Sequence, residues 1–348
     1  MKNVHGTISE FDEYQGHKIQ ELSLTNANGV TLSLLTLGST IYEIRVPGKN
    51  GAHNIVLNYY RSQDYLANPF YVCMAIGRTA GRIMNGQIIL DGQTTQLPQN
   101  EGTTTLHGGP TGFNSQIWQG KIISTAEGDA IEMSHLQKDD GYPGELQVKI
   151  VYTLSSDDVV GINYTATSTA DTVFNPTQHV YFNLGTDDTI AKQVLKVNAA
   201  QIQELDKDKI PTGKQILVQH TPFDFQQPTS LGKAIAGMSD TAEKGFDDIF
   251  AVKPDDDNLI AKLVDPETNT SVGIESDRNG LVMFTANSFT KDEMNLIRTN
   301  GVGRPYEGIA LEPQTLSKAG SAQDFSAIEL KKGEEKSYTI KYNLSYEK

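Results

Sequence analysis

Alternation of apolar and polar residues at a period of two runs through much of this chain, and no other feature constrains its fold as strongly. A strand turns successive side chains to opposite faces, whereas a helix brings them round every ~3.6 residues. Leu146, Val148, Ile150, Tyr152 and Leu154 alternate with Gln147, Lys149, Val151 and Thr153, the pattern of a half-buried strand. Ser155 to Asp158 supply turn chemistry, and Val160, Ile162, Tyr164 and Ala166 resume the pattern as a hairpin partner. Tyr338, Ile340, Tyr342, Leu344 and Tyr346 repeat it near the C-terminus, and Asn85-Gly86 and Asp91-Gly92 bracket the short run Gln87 to Leu90 as hairpin turns. Helical signals are short, around Arg61 to Ala67 and Leu231 to Met238. With no fixed-period repeat and no long linker, the pattern predicts one all-β domain over residues 1–348. Its expected architecture is a large antiparallel β-sandwich with few short helices.

Charge and cysteine content exclude several functions. Forty-three acidic against 29 basic residues give a net charge of -14, spread along the chain. Nucleic acid and anionic membranes both select a basic patch, so neither is an expected partner. The single cysteine, Cys73, rules out an internal disulfide and a cysteine-based metal site, and Val72, Met74 and Ala75 around it predict a buried thiol. No stretch has signal-peptide or membrane-span character, so the expected compartment is the cytoplasm, with either a monomer or a homodimer permitted.

Candidate chemistry is scattered along the chain. Asn175 to Leu184 reads Asn-Pro-Thr-Gln-His-Val-Tyr-Phe-Asn-Leu, and strand alternation sets His179, Tyr181 and Asn183 against Val180, Phe182 and Leu184. His179 is then either a core histidine bonded to backbone or a proton carrier beside a polyhydroxylated ligand. His107 in Leu106-His107-Gly108-Gly109-Pro110 is either a turn residue or a group presented at a sheet edge. Arg78 and Arg82 sit among small residues in Gly77-Arg78-Thr79-Ala80-Gly81-Arg82-Ile83, a setting suited to forked binding of hydroxyls or a carboxylate. In Gly308 to Gln314, alternation places Gly308, Ala310, Glu312 and Gln314 on one face, leaving Glu312 beside residues too small to cover it. Asp247-Asp248, between Phe246 and Ile249-Phe250, is either a solvated turn or a hydroxyl-binding acid pair. The glycine-containing stretches 77–86 and 301–303 lack the pattern of a phosphate loop or a dinucleotide fingerprint.

Taken in order, Gly77-Arg78, Arg82-Ile83, Leu90-Asp91-Gly92, Leu106-His107-Gly108-Gly109, Asn175-Pro176-Thr177-Gln178-His179, Tyr181-Phe182-Asn183-Leu184, Gly245-Phe246-Asp247 and Leu311-Glu312-Pro313-Gln314 resemble the aldose 1-epimerases, or galactose mutarotases. The resemblance spans residues 77 to 314 and extends to the terminal strand after Lys332-Gly333-Glu334. It implies a sandwich of the galactose mutarotase type, a sugar cleft on one concave sheet, and no metal or organic cofactor. It also implies Glu312 as catalytic base, His179 as catalytic acid and His107 as a second active-site histidine. Arg82, Asp247 and Gln314 match or neighbour positions that bind sugar hydroxyls, with Tyr181 and Asn183 as further candidates on the cleft floor. Two positions depart from the pattern: many members have Asn where Gly81 stands and His where Asp248 stands.

Anomer exchange opens and recloses a hemiacetal, so one base and one acid must flank the anomeric centre. A carboxylate with an ordinary pKa of about 4.3 and an imidazole of about 6.5 suit the two roles near neutrality. That reading expects an acidic limb of activity from Glu312 and an alkaline limb from His179. The expected substrates are free aldohexoses, galactose and glucose first, with maltose or a sugar phosphate as alternatives within the superfamily. A glycoside hydrolase using Asp247 and Glu312 would leave both histidines without a central role, and would release reducing ends. A non-catalytic sugar-binding module would lean on aromatic platforms, and Trp118 is the single tryptophan. His5, His17, His53, His135 and His220 read as surface residues.

Overall fold

The strand from Leu146–Leu154 buries every odd member of its alternation (Leu146, Val148, Ile150, Tyr152, Leu154... the apolar set) and turns Gln147 and Lys149 to solvent. The following strand, Val159–Ser168, and the last, Glu335–Ser345, alternate likewise. In the computed structural model, which describes residues 4–49, 51–289, 294–316 and 324–347, these three lie side by side at the centre of a nine-stranded antiparallel sheet. Asp129–Gln137 and Gln119–Ser124 extend it on one side. Thr270–Ser276, Leu259–Asp265, Val194–Val197 and Thr229–Ser230 extend it on the other.

A six-stranded antiparallel sheet faces it, in the spatial order Tyr181–Phe182, Ile309–Gln314, Gly280–Phe284, Asp247–Val252, Ala199–Leu205, Pro211–Leu217. The N-terminal residues form a five-stranded meander from Val4–Tyr14 to His53–Asn54. One apolar cluster joins all three sheets, with Phe182 meeting Tyr342 edge-on at 5.2 Å between ring centres. The expected sandwich is therefore present. The two α-helices among the described residues, Ser62–Leu66 and Leu231–Ala236, fall where the short helical signals stood. A smaller, separate cluster joins Ile83, Ile88, Leu97, Tyr142, Val173, Phe325 and Ile328, with Leu90 packed against it.

Ile309–Gln314 is buried along its whole length, because the core covers one face and the other forms the floor of a cleft. Pairing register assigns that second face: Glu312 lies opposite Val282 and Val282 opposite Ile249, while Ala310 pairs with Phe284 and Phe284 with Asp247. Tyr181 also lies opposite Ala310. Paired residues share a face of a sheet, so Glu312, Val282, Ile249, Phe284, Asp247 and Tyr181 look out on the same side. Cys73 is wholly buried, and burial pushes its thiol up to about 12. Of the five histidines read as surface residues, His5, His17 and His220 are exposed, but His53 and His135 are half-buried, His135 against the Trp118 ring.

Candidate active site

His179 stands at the end of a short strand, Thr177–Gln178, that is locked from below. Gln178 Oε1 accepts from the hydroxyls of Tyr164 (2.8 Å) and Tyr152 (3.0 Å), and its Nε2 donates to the carbonyls of Cys73 and Ser39. The backbone of His179 is itself pinned, its N–H donating to Met74 O and its carbonyl accepting from Cys73 N–H, each at 3.0 Å. A fully satisfied buried network of this kind specifies one geometry. The expectation of one unbroken strand over 175–184 is corrected by this arrangement: strand pairing stops after Gln178 and resumes at Tyr181–Phe182.

Glu312 meets His179 across the cleft floor, Oε1 lying 3.3 Å from His179 Nε2. Both side chains are almost inaccessible, yet Glu312 Oε2, His179 Nδ1 and the neighbouring Gln314 Nε2 have no hydrogen-bond partner. Buried polar groups are nearly always paired, so three orphans at the bottom of one cleft mark a place where a polar ligand completes the bonding. The cleft holds about 380 Å³, in the range of small-molecule sites.

His107 forms part of the wall. The antiparallel pairing of Arg82–Ile83 with Thr105–Leu106 carries it, and its ring lies edge-on to those of His179 (5.2 Å) and Tyr71 (4.9 Å). Gly108 follows at φ +88°, where a Cβ would stand 1.9 Å from the carbonyl oxygen of Gly77, so only glycine allows the turn that presents His107. The Gly81 N–H donates to His107 Nδ1 at 3.3 Å. A neutral His107 with Nδ1 accepting carries its proton on Nε2, which makes it a donor toward a bound ligand.

One ligand-type atom from each of His107, His179 and Glu312 lies within 4.8 Å of the others, the composition of a metal site. Metal-ligating histidines donate a hydrogen bond from their second nitrogen. His107 accepts one there instead, so its Nε2 has no lone pair to offer, and the cluster fits proton transfer better than metal ligation.

Arg82 lines the wall, held by a forked pair with Glu101 (2.6 and 2.8 Å). Arg78, four residues earlier, does not reach the cleft. Its guanidinium is buried in a forked pair with Asp140 (2.7 and 3.0 Å) and donates to the carbonyls of Pro143 and Gly144, so its expected ligand-binding role is corrected to a structural one. Asn183 is corrected likewise: it is fully buried away from the cleft lining, donating to the carbonyls of Glu307 and Asp187 and accepting from Gln193 Nε2. Tyr181 does line the cleft, but its hydroxyl is committed to Phe70 O at 3.0 Å, leaving the ring as the contact surface. Asp247 and Gln314 both line the cleft. At Gly81 a Cβ would meet Gln314 Oε1 at 3.3 Å, so the missing side chain leaves open space against Gln314. Tyr71, which covers both histidine rings, and Glu101, which aims Arg82, stand in no distinctive local pattern that would mark them as site residues.

Burial dominates the electrostatics. It raises the Glu312 carboxyl well above the ordinary range, with Asp247 adding to the rise and Arg82 opposing it. It lowers His179 to about 4, and it lowers His107 well below the ordinary imidazole range, helped by His179 and Arg82. Burial thus favours the neutral form of each group, a protonated carboxyl at Glu312 and an unprotonated ring at His179. Asp248, behind Asp247, is pushed up to about 6 by burial, and its carboxylate accepts the Asp247 N–H at 3.0 Å.

The family model described as aldose 1-epimerase matches residues 20–343. The maltose epimerase of Levilactobacillus brevis is 36% identical over 348 residues, covering 99% of this chain and 98% of its own. An aldose 1-epimerase of Streptococcus thermophilus is 37% identical over 332 residues, covering 92% and 93%. Among solved structures, the galactose 1-epimerase of Lactobacillus acidophilus NCFM superposes with a TM-score of 0.87 at 24% identity, over 99% of this chain and 100% of that one, which establishes the shared fold. With a family model matched over nearly its whole length and relatives of this similarity end to end, the chain belongs to the aldose 1-epimerase family and is an aldose epimerase.

Proposed function

We propose that the protein interconverts the α and β anomers of free aldohexoses, galactose and glucose among them, with Glu312 and His179 exchanging protons with the two hemiacetal oxygens. Glu312 takes the proton of the C1 hydroxyl, the C1 to ring-oxygen bond breaks as the C1 carbonyl forms, and His179 delivers a proton to the departing ring oxygen. Rotation about C1–C2 and reclosure return both protons on the other face. The observation that carries this reading is the facing pair of buried groups, Glu312 and His179, each with an orphan atom at the floor of the same cleft. Because burial favours a neutral carboxyl and a neutral ring, binding of the sugar need only relocate the proton from carboxyl to imidazole to create base and acid together. His107 Nε2–H and Arg82 supply donors for charge developing on oxygen.

The experiment is polarimetry on freshly dissolved α-galactose. Glu312→Gln keeps the size of the side chain and removes the base, and it is expected to lower enzyme-catalysed mutarotation about 10²- to 10⁴-fold, the usual worth of one positioned acid–base group. A folded variant with near-normal rates rejects Glu312 as the base.

A further inference from the structure

Given the acid–base roles proposed above for Glu312 and His179, on which this step rests, we propose that the same cleft hydrolyses 1,5-aldonolactones. A water held by Glu312 Oε2 is the nucleophile, and His179 delivers a proton to the ring oxygen as it departs.

A 1,5-aldonolactone keeps the six-membered ring and the ring hydroxyls of the aldopyranose, but has a carbonyl at C1 where the sugar has a hydroxyl. Seated as the sugar is, with its ring oxygen at His179, it offers Glu312 no hydrogen at C1. Glu312 Oε1 lies 3.3 Å from His179 Nε2, while Oε2 has no partner on a side chain only 1% exposed. A buried acceptor left in that state is costly, and buried acceptors are nearly always supplied with a hydrogen. Anomer exchange also fixes where the missing donor can stand. It sets O1 on one face of C1 and then on the other, so the cleft has room for an oxygen on both. The planar lactone carbonyl lies between those two positions and fills neither. A water in one of them bonds Glu312 Oε2 and stands against an electrophilic carbon, and the hydrate it forms carries both anomeric oxygens at once.

The groups that open the sugar also balance the hydrolysis. With the proton moved from Glu312 to His179, as for the sugar, the carboxylate takes a proton from the water while the water oxygen bonds C1, and the carbonyl oxygen takes up the negative charge. His107 Nε2–H and Arg82 supply donors for that charge. The carbonyl then re-forms, the C1 to ring-oxygen bond breaks, and the ring oxygen receives its proton from His179. One lactone and one water become one aldonic acid. Glu312 ends protonated and His179 neutral, the forms that burial favours, so the pair is reset. Asp247, which already works against a charge on Glu312, works equally against a second carboxylate at C1 and favours release of the product. In solvent the acid ionises, releasing one proton per turnover.

The test is proton release in a pH-stat at pH 6 from glucono-1,5-lactone and glucono-1,4-lactone, beside polarimetry on α-galactose with the same preparations. The wild type at micromolar concentration is expected to raise hydrolysis of the 1,5-lactone at least about fivefold over the uncatalysed rate, a small part of what one positioned acid–base group supplies. The 1,4-lactone closes its ring through O4 and brings no leaving oxygen to His179, so its acceleration is expected to be roughly tenfold less or absent. Glu312→Gln is expected to return the 1,5-lactone to the uncatalysed rate, and the comparison of the two lactones on the wild type needs no variant. Normal mutarotation of galactose with 1,5-lactone hydrolysis at the uncatalysed rate overturns the lactonase alone, as does equal acceleration of the two lactones, or undiminished lactone hydrolysis in Glu312→Gln. Absence of catalysis on galactose as well overturns the acid–base reading of the cleft, and the lactonase with it.

Discussion

Asp140→Ala should unfold this protein more readily without touching its chemistry, and the size of the effect can be worked from the contacts. Asp140 accepts two charged hydrogen bonds from Arg78 and a third from the Tyr142 N–H (3.1 Å), and both side chains of the pair are essentially inaccessible. Removing the carboxylate leaves a buried guanidinium with only carbonyls and the Thr172 hydroxyl for company. Breaking one side of a buried pair costs about 3–5 kcal/mol. At an unfolding entropy of about 2.1 cal/mol/K per residue over 348 residues, each kcal/mol moves Tm by ~1.4 °C, so the expected fall is ~4–7 °C. Arg82, by contrast, pairs with Glu101 at the cleft wall, where their side chains keep 20% and 41% of their exposure. Arg82→Ala is expected to change stability by no more than about 1 kcal/mol, as for other exposed pairs. Its kcat/KM for galactose should fall ~10- to 100-fold, the worth of about 1.5–3 kcal/mol for a charged hydrogen bond to substrate. Thermal melts and polarimetry on both variants separate the two roles. A Tm loss under 1 °C in Asp140→Ala, or a raised KM at unchanged Tm, would refute the assignment of Arg78 to structure.

Two further outcomes follow from protons. Activity against pH is expected to be flat through neutrality, with an acidic limb near 4, where His179 takes a second proton onto the pair, and an alkaline limb where the raised Glu312 carboxyl loses the shared one; an acidic limb near 6.5 in kcat/KM would contradict it. Glu307 is fully buried and its carboxyl is raised from 4.5 to about 7 by burial, so the native state binds the extra proton and this contribution to stability, up to about 3 kcal/mol, is present below 4.5 and lost as pH rises through 7. Glu307→Gln keeps an amide oxygen to accept the Arg304 N–H (3.2 Å) and an amide N–H that can donate to the Thr299 hydroxyl (2.7 Å), and urea unfolding at pH 5 and pH 9 should show the wild type losing stability relative to the variant; parallel curves would rule this out.

The strands at the centre of the nine-stranded sheet were legible because one side of each is wet, and burial there follows the alternation residue by residue. Ile309–Gln314 was legible for a different reason. It is buried on both faces, so exposure gives no pattern, but polar identity at 312 and 314 still marks the cleft side. What the sequence could not settle is which partner a polar side chain finds. Arg78 and Arg82 occupy the same short motif, and their fates are decided by Asp140, 62 residues on, and Glu101, 19 residues on. Alternation sets Asn183 on the face of His179 and Tyr181, and it fails where the strand breaks and the chain turns toward Gln193 and Glu307. Protonation departs from the sequence expectation for a related reason: reference pKa values describe solvated groups, and Glu312 and His179 are buried.

The orphan atoms connect stability to selectivity. A buried polar atom left without a partner costs about 1–3 kcal/mol, so a ligand that excludes water from the cleft floor without bonding Glu312 Oε2, His179 Nδ1 and Gln314 Nε2 forfeits at most ~3–9 kcal/mol. That is comparable to the whole stability margin of an ordinary domain, about 5–15 kcal/mol. A sugar that bonds all three relieves this cost, whereas an analogue lacking one of the matching hydroxyls displaces water from that atom and returns nothing. Discrimination among aldoses at this floor should therefore come more from the penalty on deoxy analogues than from added attraction for the right sugar.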